Sequence, residues 1–285
     1  MDSITLNAPA KINLYLDVLS KRKDNYHNIA TIFQKIKLSD TVKVSHALKG
    51  ISLDCKYPNI PTQRANIAYK AAKLIINQFN IKSGVKINIK KKIPSAAGLG
   101  GGSSDAAAVI LAMNKLFNLD IPSKELITLG KNIGADVPFF LAGCRCAIGR
   151  GIGENLKELK HRKNFHILLI VPMINVYTKT IYSELKLPLT KNHSNVTMLA
   201  RILADAKCKD LVADSLYNRL EEIVLPRYSL VRCGKEMLAK FTDMVLVSGS
   251  GPTIFGLFST RKEAARVKTH IKRDRKWQLF LTETL

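Results

Sequence analysis

Apolar and polar residues alternate along Ile4-Thr5-Leu6-Asn7-Ala8-Pro9-Ala10-Lys11-Ile12-Asn13-Leu14-Tyr15-Leu16-Asp17-Val18, the two-residue period of half-buried strands, and predict two short runs. The polar stretch 21–28 reads as a loop, and 32–38 and 42–45 alternate again as strands. Between Arg64 and Phe79 the apolar residues Ile67, Ala68, Ala71, Ala72, Leu74, Ile75 and Phe79 recur at helical spacing, with Asn80 placed to close the helix. Val85 to Ile93 is a strand that delivers the chain into a glycine-rich loop, and Ser103 to Phe117 is the helix that leaves it. A helix over 124–132 has Ser123 as its N-cap, and the segment 133–140 sets one acid, Asp136, among apolar residues. Cys146 to Ile148 reads as a strand, and glycines at 149, 151 and 153 suggest a boundary that divides the chain into 1–155 and 156–285. Beyond it the pattern predicts a strand over 165–171, helices over 178–185, 196–206, 216–224 and 229–241, and a strand over 244–248. A glycine turn (248–253), a strand (254–259), a helix (261–273) and a strand (277–282) complete the chain. These βα and ββα pieces fit a two-layer α+β protein better than a regularly alternating parallel sheet.

Composition narrows the class. The 285 residues suffice for two domains, and 46% are hydrophobic, as in ordinary globular proteins. No apolar run reaches the roughly 18 residues of a membrane span, and Met1-Asp2-Ser3-Ile4-Thr5 does not resemble a secretion signal, so no membrane partner is expected. Five scattered cysteines, Cys55, Cys144, Cys146, Cys208 and Cys233, suit reduced thiols in a cytoplasmic protein. Cys144 and Cys146 read as small apolar residues on a strand, because zinc sites usually draw on about four ligands. The net charge of +23 is spread along the whole chain without interleaved aromatics, so it reads first as a solvated surface, with attraction of phosphorylated small molecules and a nucleic-acid platform as the alternatives. A monomer or weak homodimer is expected.

The most informative stretch is Pro94-Ser95-Ala96-Ala97-Gly98-Leu99-Gly100-Gly101-Gly102-Ser103-Ser104-Asp105. Glycines let a loop turn its N–H groups inward, and the helix that follows adds unsatisfied N–H groups and the positive end of its dipole. Together they form a phosphate cradle. The G-x-x-x-x-G-K-[ST] pattern is absent, since no lysine precedes Ser103, and a dinucleotide fold would want such a loop far earlier in the chain. What stands is P-x-x-x-G-L-G-x-G-S-S-D. With Ala8-Pro9-Ala10-Lys11-Ile12-Asn13-Leu14 before it and Ser248-Gly249-Ser250-Gly251-Pro252-Thr253 after it, the chain resembles the GHMP kinases over nearly its whole length. The strand Ala10 to Val18 followed by Lys21-Arg22-Lys23-Asp24-Asn25-Tyr26-His27 is similar to members acting on a cytidine-diphosphate-linked polyol of isoprenoid synthesis. Asn25 departs from their usual glycine, but asparagine tolerates positive φ, so the turn is expected to survive.

The resemblance implies a two-domain fold: an N-terminal domain like domain 2 of ribosomal protein S5, and a C-terminal ferredoxin-like α/β sandwich. It implies ATP and Mg²⁺, with a small cytidine diphosphate compound as phosphate acceptor. By the same resemblance Asp136 takes the acceptor's proton and Lys11 orients it; a helix N-cap is also good chemistry for Asp136, and both roles can hold at once. Asn13 shares a strand face with Lys11 and is a candidate substrate contact. Tyr26 and His27 would hold the cytosine, with Tyr182 and Thr178 as further substrate contacts, a core tyrosine being the alternative for Tyr182. The nucleotide would lie on Asn66 and on the loop residues Pro94, Ser95, Ala96, Ala97, Gly98, Leu99, Gly100, Gly101, Gly102, Ser103 and Ser104, with Ser103 near the Mg²⁺. Another GHMP kinase, a non-catalytic sensor of the same fold and a nucleic-acid-binding protein are the rival readings.

Overall fold

Two strands expected as pairs of short runs are each continuous: β1 (Ser3–Lys21) and β2 (His27–Ala47). In β1 every residue from Ala10 to Leu16 is buried, so Lys11 and Asn13 are buried polar residues and do not mark a solvent face. In β2 the polar residues near Asp40 mimic a break, yet Asp40 is fully buried within the strand. The computed structural model describes residues 2–57, 63–161, 163–185, 196–205, 211–271 and 276–285. Cys208 and the expected helix ends at 206 and 272–273 lie outside the described residues.

A short strand the pattern missed, β3 (Ile51–Asp54), precedes α1 (Ile67–Gln78), which Asn66 caps by accepting the Ala68 N–H. Asn80, expected to close the helix, follows it in a left-handed turn at a φ of 50°. Next come β4 (Gly84–Lys90) and α2 (Gly101–Leu116), which starts two residues earlier than expected. The N-cap of α3 (Ser123–Lys131) is Pro122 and not Ser123. α4 (Val137–Leu141), β5 (Cys146–Gly151), β6 (Asn155–Glu158) and β7 (His166–Pro172) lead to α5 (Thr178–Glu184) and α6 (Val196–Ala204). The helix expected over 216–224 is instead α7 (Val212–Ser215), the two-residue β8 (Tyr217–Asn218) and α8 (Glu221–Arg227). Asn218 breaks the helix because its Oδ1 takes the Leu220 N–H while its Nδ2 serves distant carbonyls. The chain ends with α9 (Ser229–Ala239), β9 (Val245–Val247), β10 (Ile254–Phe258), α10 (Arg261–His270) and β11 (Trp277–Glu283).

Two compact units interleave along the sequence. The first comprises Met1–Ala10, Leu38–Ser95 and Gly100–Cys144; the second comprises Lys11–Lys37, Ala96–Leu99 and Arg145–Leu285. In the first, β4 pairs antiparallel with β2 from Thr41↔Lys90 to Ala47↔Gly84, and parallel with β3. Helices α1 and α2 pack closely through small buried residues, Ala68, Ala71 and Ala72 on one and Ala106, Ala107, Ala108 and Ala112 on the other. In the second, β2 pairs with β5 and β1 pairs parallel with β8, while β11-β7-β10-β9 form a separate antiparallel sheet. The core of this unit includes Leu168, Ile170, Val231, Leu238, Val247 and Ile254. Among the described residues, no helix is long and apolar enough to cross a membrane.

Candidate active site

The glycine loop has a defined backbone alternation. Ala96, Gly98 and Gly100 take φ values of 52°, 74° and 68°, while the residues between them stay at negative φ. Alternating handedness turns successive N–H groups toward one point, which is how a backbone builds an anion-binding nest. Gly100 is the N-cap of α2 and supplies no side-chain capping bond, so the loop opens onto first-turn N–H groups of the helix. The Ser104 hydroxyl is buried there and has no hydrogen-bond partner among the described residues. An orphaned hydroxyl near a helix start suits a phosphorylated ligand. In the same unit, Ser103 Oγ lies 4.0 Å from where a Cβ on Gly134 would stand, two residues before Asp136. Asn66 spends its Oδ1 on its helix cap, at 2.9 Å from the Ala68 nitrogen.

In the second unit, a directed chain of hydrogen bonds holds Lys11. The Thr31 hydroxyl donates to the Tyr15 carbonyl (2.6 Å) and accepts from Asn13 Nδ2 (2.8 Å). That fixes the amide orientation and leaves Asn13 Oδ1 to accept from Lys11 Nζ at 2.7 Å. Lys11 is only 5% exposed, and its ammonium sits 5.6 Å from the centre of the Phe33 ring. Asn13, expected to meet substrate, is 0% exposed; its amide is engaged with Lys11 and Thr31, so the geometry makes it the holder of the lysine.

The turn after β9 lies against this group. A Cβ on Gly249 would stand 3.4 Å from Asn13 Oδ1 and 3.6 Å from Lys11 Nζ. Asn218 Nδ2 donates to the Val247 and Gly249 carbonyls, each at 2.8 Å, and Glu221 Oε1 accepts the Val247 N–H at 2.7 Å. Ser248 Oγ donates to the Gly98 carbonyl at 3.0 Å, which joins the turn to the tip of the glycine loop.

An aromatic corner lies in the same unit. Asn25 adopts a φ of 64°, the left-handed turn expected of it, and presents Tyr26, which is 57% exposed. The His27 ring lies 5.2 Å from that of Tyr182, tilted by 37°. Burial, with Lys21 adding to it, holds the His27 imidazole below its usual pKa. It is therefore neutral at neutral pH, with one donor and one acceptor nitrogen. Thr178 is exposed and its Oγ1 lies 2.8 Å from Ser250 Oγ in the 248–253 turn.

Asp136 is half-buried at the N-cap of α4, where its side chain makes no capping bond. It belongs to the first unit with Asn66, Ser103 and Ser104, whereas Lys11, Asn13, His27, Thr178 and Tyr182 belong to the second. Three charged residues of the first unit escape the sequence pattern. Asp40, Lys91 and Asp105 form a buried triad, with Lys91 Nζ paired to Asp40 Oδ2 and lying 2.8 Å from Asp105 Oδ2. Burial pushes the Asp105 carboxyl up to about 7, with Lys91 opposing and Asp40 adding to the shift. Burial disfavours the charge on Lys91, but the two carboxylates outweigh it and raise the ammonium's pKa. The signal for this triad is Asp105 itself, an acid next to a run of buried alanines; Lys91 is hidden in the run Lys90-Lys91-Lys92.

Comparison with known proteins places this arrangement. A family model described as the GHMP kinases N terminal domain matches residues 66–144. A homoserine kinase from Cytophaga hutchinsonii shares the fold at a TM-score of 0.74 and 18% identity, over 100% of this chain and 95% of that one. The matched domain and the shared two-domain fold are those of the GHMP kinases. A crystal structure of 4-(cytidine 5'-diphospho)-2C-methyl-D-erythritol kinase aligns at a TM-score of 0.81 and 30% identity over 99% of each chain. The 4-diphosphocytidyl-2-C-methyl-D-erythritol kinase of Acetivibrio thermocellus is 40% identical over 286 residues, 100% of both chains. Its counterpart from Clostridium botulinum is 40% identical over 279 residues, 98% of this chain and 99% of that one. The chain belongs to the 4-diphosphocytidyl-2-C-methyl-D-erythritol kinase family.

Proposed function

We propose that this chain transfers the γ-phosphoryl group of ATP to the 2-hydroxyl of 4-diphosphocytidyl-2-C-methyl-D-erythritol, a step of non-mevalonate isoprenoid synthesis. The observation that carries the choice of substrate is the corner of Tyr26, His27 and Tyr182, which offers a flat face and a neutral hydrogen-bonding imidazole suited to a cytosine. The full-length relationship to kinases named for that substrate supports the reaction.

In this reading the acceptor oxygen attacks the γ-phosphorus, an O–P bond forms, the bond to the β–γ bridging oxygen breaks, and ADP leaves. Asp136 receives the hydroxyl proton. Lys11, held rigid by Asn13, offsets negative charge as it develops on the oxygens. The N–H groups of the loop and of the α2 start bind the donor's phosphates, with Asn66 beside the nucleoside. Mg²⁺, which commonly keeps waters and phosphate oxygens as ligands, would need few protein atoms; Ser103 would offer it a hydroxyl, and the charge it would supply there is the kind that offsets phosphate charge. Thr178 and Tyr182 stand on the acceptor's side.

The direct test couples ADP release to NADH oxidation, with ATP, Mg²⁺ and the cytidyl diphosphate acceptor. One ADP per acceptor consumed is expected, and no turnover with mevalonate or homoserine. Turnover with either of those, and none with the cytidyl compound, would refute the assignment. His27→Ala is expected to raise KM for the cytidyl acceptor about tenfold while kcat changes less than about threefold, the pattern of lost uniform binding. An unchanged KM would remove His27 from the acceptor site.

A further inference from the structure

We infer that the Asp40–Lys91–Asp105 triad presets the glycine loop by fastening both of its ends, which makes Lys91 and Asp105 positioning residues for the phosphate donor; this rests on the kinase reading above. Asp40 Oδ1 accepts the backbone N–H groups of Lys92 (2.6 Å) and Ile93 (2.9 Å), the two residues that enter the loop. Its other oxygen is paired with Lys91 Nζ, and that ammonium reaches Asp105 Oδ2, in the second turn of the helix that leaves the loop. One carboxylate thus holds the way in, and through one lysine it holds the way out.

The ammonium is also close to the helix start itself, 3.3 Å from where a Cβ on Gly101 would stand. The three side chains are at most 6% exposed, so water does not compete for these bonds. Asp105 Oδ1 has no hydrogen-bond partner among the described residues, while its Oδ2 is tied to Lys91. A buried ion triad is a costly way to gain stability, since apolar residues of similar volume often serve as well. Its placement at the two ends of a phosphate-binding loop gives it a positional role instead. A preset loop spares the nucleotide the cost of ordering it, so cutting the tie should weaken ATP binding and leave the acceptor's binding alone.

The test compares wild type with Asp105→Leu, which keeps the branching of the side chain without its oxygens and leaves Lys91 neutralised by Asp40, and with Asp105→Asn, which keeps an oxygen for Lys91. Calorimetric titration should show Kd for ATP at least about tenfold weaker in Asp105→Leu, within about threefold of wild type in Asp105→Asn, and Kd for the cytidyl acceptor unchanged in both. Equal ATP affinity in all three proteins, or equal loss for both ligands, overturns the proposal. A wild type that binds no ATP would instead sink the kinase reading. If Asp105→Leu does not fold, hydrogen exchange in the wild type decides. The N–H groups of Lys92 and Ile93 should be protected without nucleotide; free exchange that slows only when an ATP analogue is added overturns the proposal.

Discussion

Asp136→Asn is expected to lower kcat by about 10² to 10⁴-fold, the range for removal of a group that takes a proton in the transition state. The substitution preserves shape and hydrogen-bonding reach but cannot accept the acceptor's proton. Asp136 sits at the N-cap of α4 without a side-chain capping bond, so the variant sacrifices no cap and the fold should be retained. KM for ATP should change less than about threefold, because Asp136 is assigned to the chemistry and not to the phosphates. Steady-state kinetics with a thermal melt on the same sample separates the two roles. If Asp136 takes no part in the proton transfer, the asparagine variant leaves kcat unchanged, and the proton must go elsewhere.

Residues whose roles are local in sequence were legible. Asn25 was expected to keep its turn and Asn80 to close a helix, and both adopt positive φ. The glycine loop and its helix follow from composition, because glycine's freedom and a run of alanines act over a few residues. Lys11 and Asn13 share a face because a strand alternates, and their hydrogen bond follows from that spacing. Residues whose roles depend on distant partners were hidden. Asp40 looked like a break between strands because a charge inside a strand makes sense only once Lys91 and the N–H groups 51 to 53 residues later are known to meet it. Asn218 fell inside a helical pattern because the carbonyls it serves, Val247 and Gly249, lie far along the chain. The burial of Asn13 had the same origin: its place on the face of Lys11 suggested a substrate contact, and only the packed structure covers it.

The contact between the loop tip and the turn after β9 can be tested at Gly98, where the expected effect is large. Its φ is 74°, and an added Cβ would stand 2.2 Å from the Ser248 carbonyl oxygen and 2.9 Å from that of Gly251. Both obstacles are backbone, so no side chain can swing aside, and Gly98→Ala must push the loop and the turn apart. Gly143 provides the control, since its φ is also 74° but nothing lies within 4 Å of its Cβ position. Gly143→Ala should therefore cost only the left-handed backbone, about 1–2 kcal/mol. Gly98→Ala should cost at least about 2 kcal/mol more by denaturant unfolding, placing it among severe single substitutions. It should also lower kcat, because the Gly249 turn it displaces lies beside Asn13 and Lys11. If Gly98→Ala proves no more costly than Gly143→Ala, the turn does not press on the loop, and the route by which it would steady Lys11 is lost.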